Sequence, residues 1–497
     1  MIIGFPVIPA HFDPLRTVAD GHTGGLLLFS TLVDTDADMN IIPDLAESYR
    51  ISEDGLTYTF KLRRDARFTD GVGVTAADVV FSYQRVMNNA TATDLTMVKQ
   101  VAADGDEVII NLSKPWSPFL LTVAQVGIVP EHAYGPDFGL NPIGSGPFKL
   151  VQLDVEQQFI LEANEEYYGK IPEIKRFVFV KMSNEDIQFA AAKSGQVDIT
   201  LTSAVLAAVN DIPGYKLLIK DSLDNMGLAM PTIPDTRVVN RYGRSVGNNI
   251  THQVSFRQAL AYGLDREAIC RDALNGFATP AYTENDGMPW SNPDSKIDYD
   301  LDYAIALLEG DGWLPGSDGI RTKEGLRASL PLIYSAGDSV RQAVAMAVAK
   351  QAKEKLGIEL VVEGTSWDDI SLRMYSEPLI LAWGSANPMT SYYLFHSSRA
   401  GLDDFYNPQN FTNSVVDRYL EQAVSAGSLE EGILYFHKAQ WDGVTGTSMR
   451  GECPYIFLIN KSHLYWVRDG LDTGRQKIHA HGDAWPLIAN LKEWKWQ

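Results

Sequence analysis

Leu45-Ala-Glu-Ser-Tyr-Arg-Ile-Ser-Glu-Asp-Gly-Leu-Thr-Tyr-Thr-Phe-Lys-Leu-Arg-Arg-Asp-Ala-Arg-Phe-Thr-Asp-Gly71 is the most informative stretch of this chain. Within it Leu56, Tyr58, Phe60 and Leu62 alternate with other residues, which lines one face of a strand. Asp54 and Gly55 supply the turn that precedes it. Directly downstream, residues 74–86 change to a helical pattern. Thr75 is placed as N-cap, with Asp78 as a carboxylate in the first turn.

Working outward, strands are predicted at 2–7 and 108–112, and a dense apolar run at 26–32 follows a glycine-rich loop at 20–25. Strands at 177–181 and 197–201 flank a helix at 184–194, a βαβ-like succession that argues for α/β layers. The Gly-, Met- and Pro-rich residues 224–231 read as a connection between lobes, and residues 255–268 as one long helix. A second α/β unit follows, with strands at 330–334, 358–363 and 379–383 and helices at 339–356, 414–426 and 430–441. The helix at 339–356 should end at Gly357. Strands at 455–459 and 462–467 close this unit. No internal repeat of fixed period is visible.

With 497 residues the chain is too long for one ordinary core. Its 42 basic and 63 acidic residues leave a net charge of −21 and no basic stripe, which argues against a nucleic-acid partner. Two cysteines, Cys270 and Cys453, exclude a disulfide framework but leave open one bridge or two free thiols. No apolar window approaches the roughly 18 residues that span a bilayer. The opening residues carry no export signal, so the chain is expected to be cytosolic or to have lost such a signal.

The 45–71 stretch, with the Thr75-Ala-Ala-Asp-Val-Val-Phe-Ser-Tyr83 helix after it, resembles the signature of the peptide/nickel class of extracytoplasmic solute-binding proteins of ABC importers. Four further landmarks fall in that family's order: His11-Phe-Asp-Pro-Leu15, Gly144-Ser-Gly-Pro-Phe-Lys-Leu150, Phe256-Arg-Gln-Ala-Leu-Ala-Tyr-Gly-Leu-Asp-Arg266 and Trp383-Gly-Ser-Ala-Asn-Pro388. The resemblance covers essentially the whole chain. It implies a two-lobed α/β periplasmic-binding-protein fold of the class II type, with an extra small subdomain in lobe I and ligand enclosed between the lobes. Lobe I would comprise 1–226, with the subdomain at about 46–168, and lobe II 227–462. Residues 463–497 would return to lobe I, the crossings falling near 227–231 and 455–462. It implies no enzyme activity, a cognate ABC permease in the membrane as partner, a monomer, and a periplasmic or lipid-anchored location.

Of the nine histidines, His132 looks structural by family position, while His252, His437 and His463 read as isolated. His479-Ala-His481 differs: in an extended segment, residues i and i+2 project to the same face about 6.5–7 Å apart. Two imidazoles so placed can converge on one ion. Gly482 next to them permits close backbone approach. The resemblance adds His22, in a loop that borders the cleft on lobe I. Three neutral nitrogens at His22, His479 and His481 suit Ni²⁺, Cu²⁺, Zn²⁺ or Co²⁺, and the 476–486 run resembles nickel-associated members. Nickel, free or held by a small organic chelator, is therefore the expected ligand, with no other cofactor.

Arg341, at a strand-to-helix turn, is the candidate for a chelator's carboxylate, against an exposed first-turn arginine. Trp383 and Asn387 resemble cleft positions, against packing at a strand end. Tyr392, Tyr393, Arg399 and Tyr406 are unranked neighbours. The alternative is an oligopeptide- or dipeptide-binding protein of the same fold. Asn387 weakens it, because peptide-binding members commonly carry Asp there. A hydrolase is a distant alternative: no GxSxG, HExxH or P-loop occurs.

Overall fold

The computed structural model describes residues 1–16, 27–88, 93–236, 239, 243–402, 405–482 and 484–497. The chain divides into two compact units. One comprises Met1–Lys220, Ser425–Ser428 and His463–Gln497; the other comprises Asp221–Val424 and Leu429–Ser462.

The first unit is built on a seven-stranded sheet. Its order is Tyr215–Lys220, His463–Arg468, Ile199–Leu201, Ile2–Phe5, Arg176–Lys181, Gln158–Ala163, Phe148–Asp154. Ile2–Phe5 runs parallel to both its neighbours, and the other pairs are antiparallel. Phe159 and Phe179 stack at 4.1 Å, and Phe5 meets Phe179 and Trp485 edge-on, so the return segment is part of this core.

A separate antiparallel sheet holds the opening stretch, in the order Ala46–Ile51, Thr57–Leu62, Glu107–Leu112, Val98–Asp104. The helix Ala76–Asn88 packs on it. Thr75 and Asp78 close its first turn in reverse of the usual cap: the Thr75 N–H and Oγ1 both donate to Asp78 Oδ2, at 2.9 and 2.8 Å. This sheet is complete by residue 112. The strands Phe148–Asp154 and Gln158–Ala163, which the expected subdomain range of 46–168 included, belong to the large sheet instead. The Phe159 ring has its apolar partners there.

Gly144-Ser-Gly146 is a packing device. A Cβ on Gly144 would lie 1.9 Å from the Leu28 carbonyl oxygen, the same oxygen that accepts from the Gly146 N–H at 2.9 Å.

The second unit carries a six-stranded sheet. Its order is Ala278–Pro280, Tyr455–Lys461, Asn225–Ala229, Leu379–Trp383, Ser329–Ser335, Glu359–Thr365. Residues 224–231, read from the sequence as a connection, hold instead a fully buried strand paired on both sides, and the chain divides at Lys220/Asp221. The expected helix at 255–268 is two helices, Val254–Gly263 and Arg266–Leu274. Asp265 starts the second by accepting from the Ala268 N–H.

Both arginines of that landmark are buried and donate to main-chain carbonyls: Arg257 to Thr251, Glu452 and Cys453, Arg266 to Phe457, Ala261 and Leu264. Ser339–Leu356 ends at Gly357 in the left-handed region. Cys270 and Cys453 are free buried thiols.

Candidate functional site

In the second unit, the strands Ser329–Ser335, Glu359–Thr365, Leu379–Trp383 and Tyr455–Lys461 all end at one edge of the sheet, and Asn225–Ala229 begins there. Open α/β sheets present ligand sites at such carboxyl ends. Three of the expected residues stand here.

Arg341 lies in the first turn of Ser339–Leu356, the helix that follows the Ser329–Ser335 strand. Asp338 caps this helix, accepting from the Arg341 N–H at 2.9 Å and from its Nη1 at 3.0 Å. The guanidinium lies 5.1 Å from the centre of the Trp367 ring, and its side chain is only 11% exposed. It is therefore a held arginine rather than a solvated one.

Trp383 ends its strand half-buried, stacked on Tyr406 at 5.0 Å. Tyr406 meets Tyr393, and the Arg399 guanidinium lies over both rings. Of the unranked neighbours, Tyr393, Arg399 and Tyr406 thus form one stack with Trp383, while Tyr392 stacks on His396.

Asn387 does local work. Its Oδ1 accepts from the Met389 N–H at 3.0 Å and sets the start of the helix Met389–Phe395.

Behind this edge lies a buried polar network that sequence reading missed. Asn225 and Asn460 are cross-strand partners whose amides bond at 3.2 Å, and Asn460 also donates to Asp286 at 3.0 Å. Glu284 accepts from Ser391 Oγ and from Gln440 Nε2. Burial pushes the carboxyls of Glu284 and Asp286 above their ordinary range. No periodicity or motif marks these residues, because their role depends on strand register.

In the first unit, His479 is buried, its Nδ1 lying 3.1 Å from Nδ1 of His463 and 3.3 Å from the Tyr465 hydroxyl. Its Nε2 faces Gln476 Oε1 at 3.4 Å, and that amide is fixed because its Nε2 donates to Thr473 O and Asn490 Oδ1. His463, read as isolated, is thus the direct neighbour of His479. The reason is topological: His463 begins the return strand of the large sheet, 16 residues before His479 in the chain but against it in space.

His481 is exposed. His479 and His481 thus differ in burial, and a bend follows at 481–482, where Gly482 takes φ 82°. His22 lies outside the described residues. Among the described residues no group of three or more His, Cys, Asp or Glu side chains is arranged to hold a metal ion. His437, in the last turn of Leu429–Gln440, donates from Nε2 to the Pro289 carbonyl at 2.9 Å.

Residues 40–403 match the family described as bacterial extracellular solute-binding proteins, family 5. The chain belongs to that family. Among its relatives is protein XP55 of Streptomyces lividans, 30% identical over 490 residues, spanning 95% of this chain and 85% of the relative. The oligopeptide-binding protein AppA of Bacillus subtilis is 27% identical, spanning 99% and 91%. The crystal structure of NikZ from Campylobacter jejuni in complex with Ni(L-His) superposes with a TM-score of 0.80 at 26% identity, covering 100% of this chain and 99% of that one.

As a family 5 solute-binding protein the chain binds and delivers a solute outside the cytoplasm and is not an enzyme. Among the described residues no helix is long and apolar enough to cross a membrane.

Proposed function

We propose that this family 5 protein is the capture component of a nickel importer. It would take up the ion free or as a complex with a small organic chelator, and hand it to an ABC permease. His22, His479 and His481 would supply nitrogen ligands, and Arg341, Trp383 and Asn387 would lie beside the chelator. The protein would act as a monomer, in the periplasm or tethered by a lipid.

The observation that carries this reading is the state of His479. It is a buried imidazole whose Nε2 faces a fixed amide oxygen, the way metal-binding histidines are characteristically oriented through their second nitrogen, and its Nδ1 would exchange its contacts with His463 and Tyr465 for the ion. The likeness to NikZ, solved with Ni(L-His), supports it. A second reading, peptide capture, is favoured by the likeness to AppA over nearly the whole chain.

Thermal unfolding of the full chain separates them. Under the nickel reading, Tm rises with added nickel chloride or nickel–histidine, because a ligand of the native state alone stabilises it. His479→Ala and His481→Ala then lose most of that rise and His437→Ala keeps it. The rise should also fade in acid as imidazoles protonate, around pH 6.5 for an ordinary histidine. A Tm rise with tetra-alanine and none with nickel in either form would replace this reading by peptide capture.

A further inference from the structure

His396 joins two short elements of the second unit. It ends the helix Met389–Phe395 and begins the turn Ser397–Arg399. Its side chain is only 9% exposed. The ring stacks on Tyr392 at 4.3 Å, and Nδ1 accepts from the Ser398 N–H at 3.1 Å, with the Ser398 hydroxyl 2.7 Å away. The buried Nε2 makes no hydrogen bond among the described residues. It lies 3.5 Å from Glu421 Oε1 and 4.0 Å from Asp417 Oδ1, two carboxylates one turn apart on the helix Ser414–Val424. A buried donor left unpaired is costly, and such a group in a native structure points to something that completes it.

These neighbours fix where the proton sits. The Ser398 N–H can only donate, so Nδ1 is the acceptor and the neutral ring carries its hydrogen on Nε2. The two carboxylates can only accept, which agrees. A further proton from solvent therefore enters at Nδ1. There it sets one N–H against another, that of Ser398, while the new charge draws Nε2 toward Glu421 and Asp417. Asp417 and Glu421 face the ring from Ser414–Val424, Tyr392 faces it from Met389–Phe395, and Arg399 ends the turn that His396 begins. Burial raises the Tyr392 phenol, the two carboxylates add to this and Arg399 opposes it, so these groups share one electrostatic neighbourhood.

Two side chains accept at the start of the turn: Asp417 Oδ1 takes the Ser397 N–H at 2.9 Å, and His396 Nδ1 takes that of Ser398. At its end the Arg399 guanidinium lies over Tyr393 and Tyr406, at 5.6 and 5.3 Å, and Tyr406 stacks on Trp383. We propose that His396 is a proton-operated switch for this stack. Proton uptake at Nδ1 releases the Ser398 N–H, moves the imidazole onto Glu421 and Asp417, and loosens the turn that holds Arg399 over the two tyrosines. Trp383 is thereby coupled to pH whichever solute the protein carries.

Amide NMR of the isotope-labelled full chain without solute, followed from about pH 8 to about pH 5, tests it, since histidine ordinarily changes charge in that range. The Ser398 amide should lose its hydrogen-bonded shift, and its exchange protection should fall roughly tenfold beyond the intrinsic effect of pH. The Trp383 indole N–H, assigned with Trp383→Phe, should move with the same midpoint. His396→Gln offers Ser398 an acceptor and the carboxylates a donor at every pH, and should hold both signals still. Glu421 is 65% exposed, so Glu421→Gln leaves the fold intact. It removes one receiving charge and should shift the midpoint to lower pH.

A Ser398 amide that keeps its shift and its protection across this range overturns the switch. Equal changes in His396→Gln would assign them to another group and overturn it too. If His396→Gln does not fold, Glu421→Gln decides: a midpoint at the parent's pH removes the carboxylates from the device and overturns it. A Trp383 indole that stays still while Ser398 moves overturns the coupling to the stack. No solute is present, so none of these outcomes touches the nickel reading.

Discussion

Replacing Arg257 by methionine tests whether the Phe256–Arg266 landmark serves stability rather than the ligand. The Arg257 side chain is 2% exposed and donates to Thr251 O at 2.6 Å, Glu452 O at 2.5 Å and Cys453 O at 2.9 Å. Burial lowers its pKa, so the charge is held against desolvation by those carbonyls. Methionine keeps much of the aliphatic volume and none of the donors. Thr251 and Cys453 are wholly buried, so their two carbonyls would remain unpaired at about 1–3 kcal/mol each. Glu452 is partly exposed and its carbonyl can turn to water. Relief of the buried charge returns part of the loss. The expected net is about 3 kcal/mol, on the order of a 100-fold shift in the unfolding equilibrium of the second unit. Urea unfolding followed by hydrogen exchange at the amides of Tyr455–Lys461 reads this unit separately, since that strand starts two residues after Cys453. A shift below about 0.5 kcal/mol, the range of an inert surface change, would refute the reasoning.

Gly144→Ala should destabilise the first unit by about 3 kcal/mol, because its Cβ meets the main-chain oxygen of Leu28, while Gly135→Ala, with open space around it, should be neutral in the same melt. Glu284→Gln should stabilise the second unit increasingly as pH rises. The Glu284 carboxyl is raised by burial, so its favourable contribution is full below the unfolded value near 4 and is lost as pH rises through the folded one. Melts at pH 4 and pH 8 should show no difference at the first and a gain at the second. Arg341→Ala should weaken nickel–histidine by about tenfold, or about 1.4 kcal/mol, and leave nickel chloride unchanged, as measured by titration calorimetry. Equal losses for both forms would remove Arg341 from the chelator's carboxylate.

Much of the fold was legible because it depends on local pattern. Leu379–Trp383 and Ser339–Leu356 stand where periodicity and Gly357 put them. The strand Asn225–Ala229 was missed because it is buried throughout, so it shows no alternation, and its Gly and Met look like a loop. The break at Asp265 was missed because apolar spacing continues across it while one side chain caps the second helix. Among the candidates, chemically conspicuous residues such as Trp383 and His479 stand out in the sequence. Asn225, Asn460 and His463 do not, since only register and the return of the chain give them neighbours.

The strand His463–Arg468 lies between Ile199–Leu201 and Tyr215–Lys220, and among the described residues the last of these pairs with no other strand. Lys220 meets His463 across 463 − 220 = 243 residues of chain. Until the ribosome has made that distant stretch, the sheet has a gap next to its edge and Tyr215–Lys220 has nothing to zip onto. Closing so long a loop adds only slowly growing entropy, but the sheet cannot be completed before Arg468 has been made. A nascent chain of this design keeps its large sheet open for as long as it takes to make the 243 residues that separate Lys220 from His463.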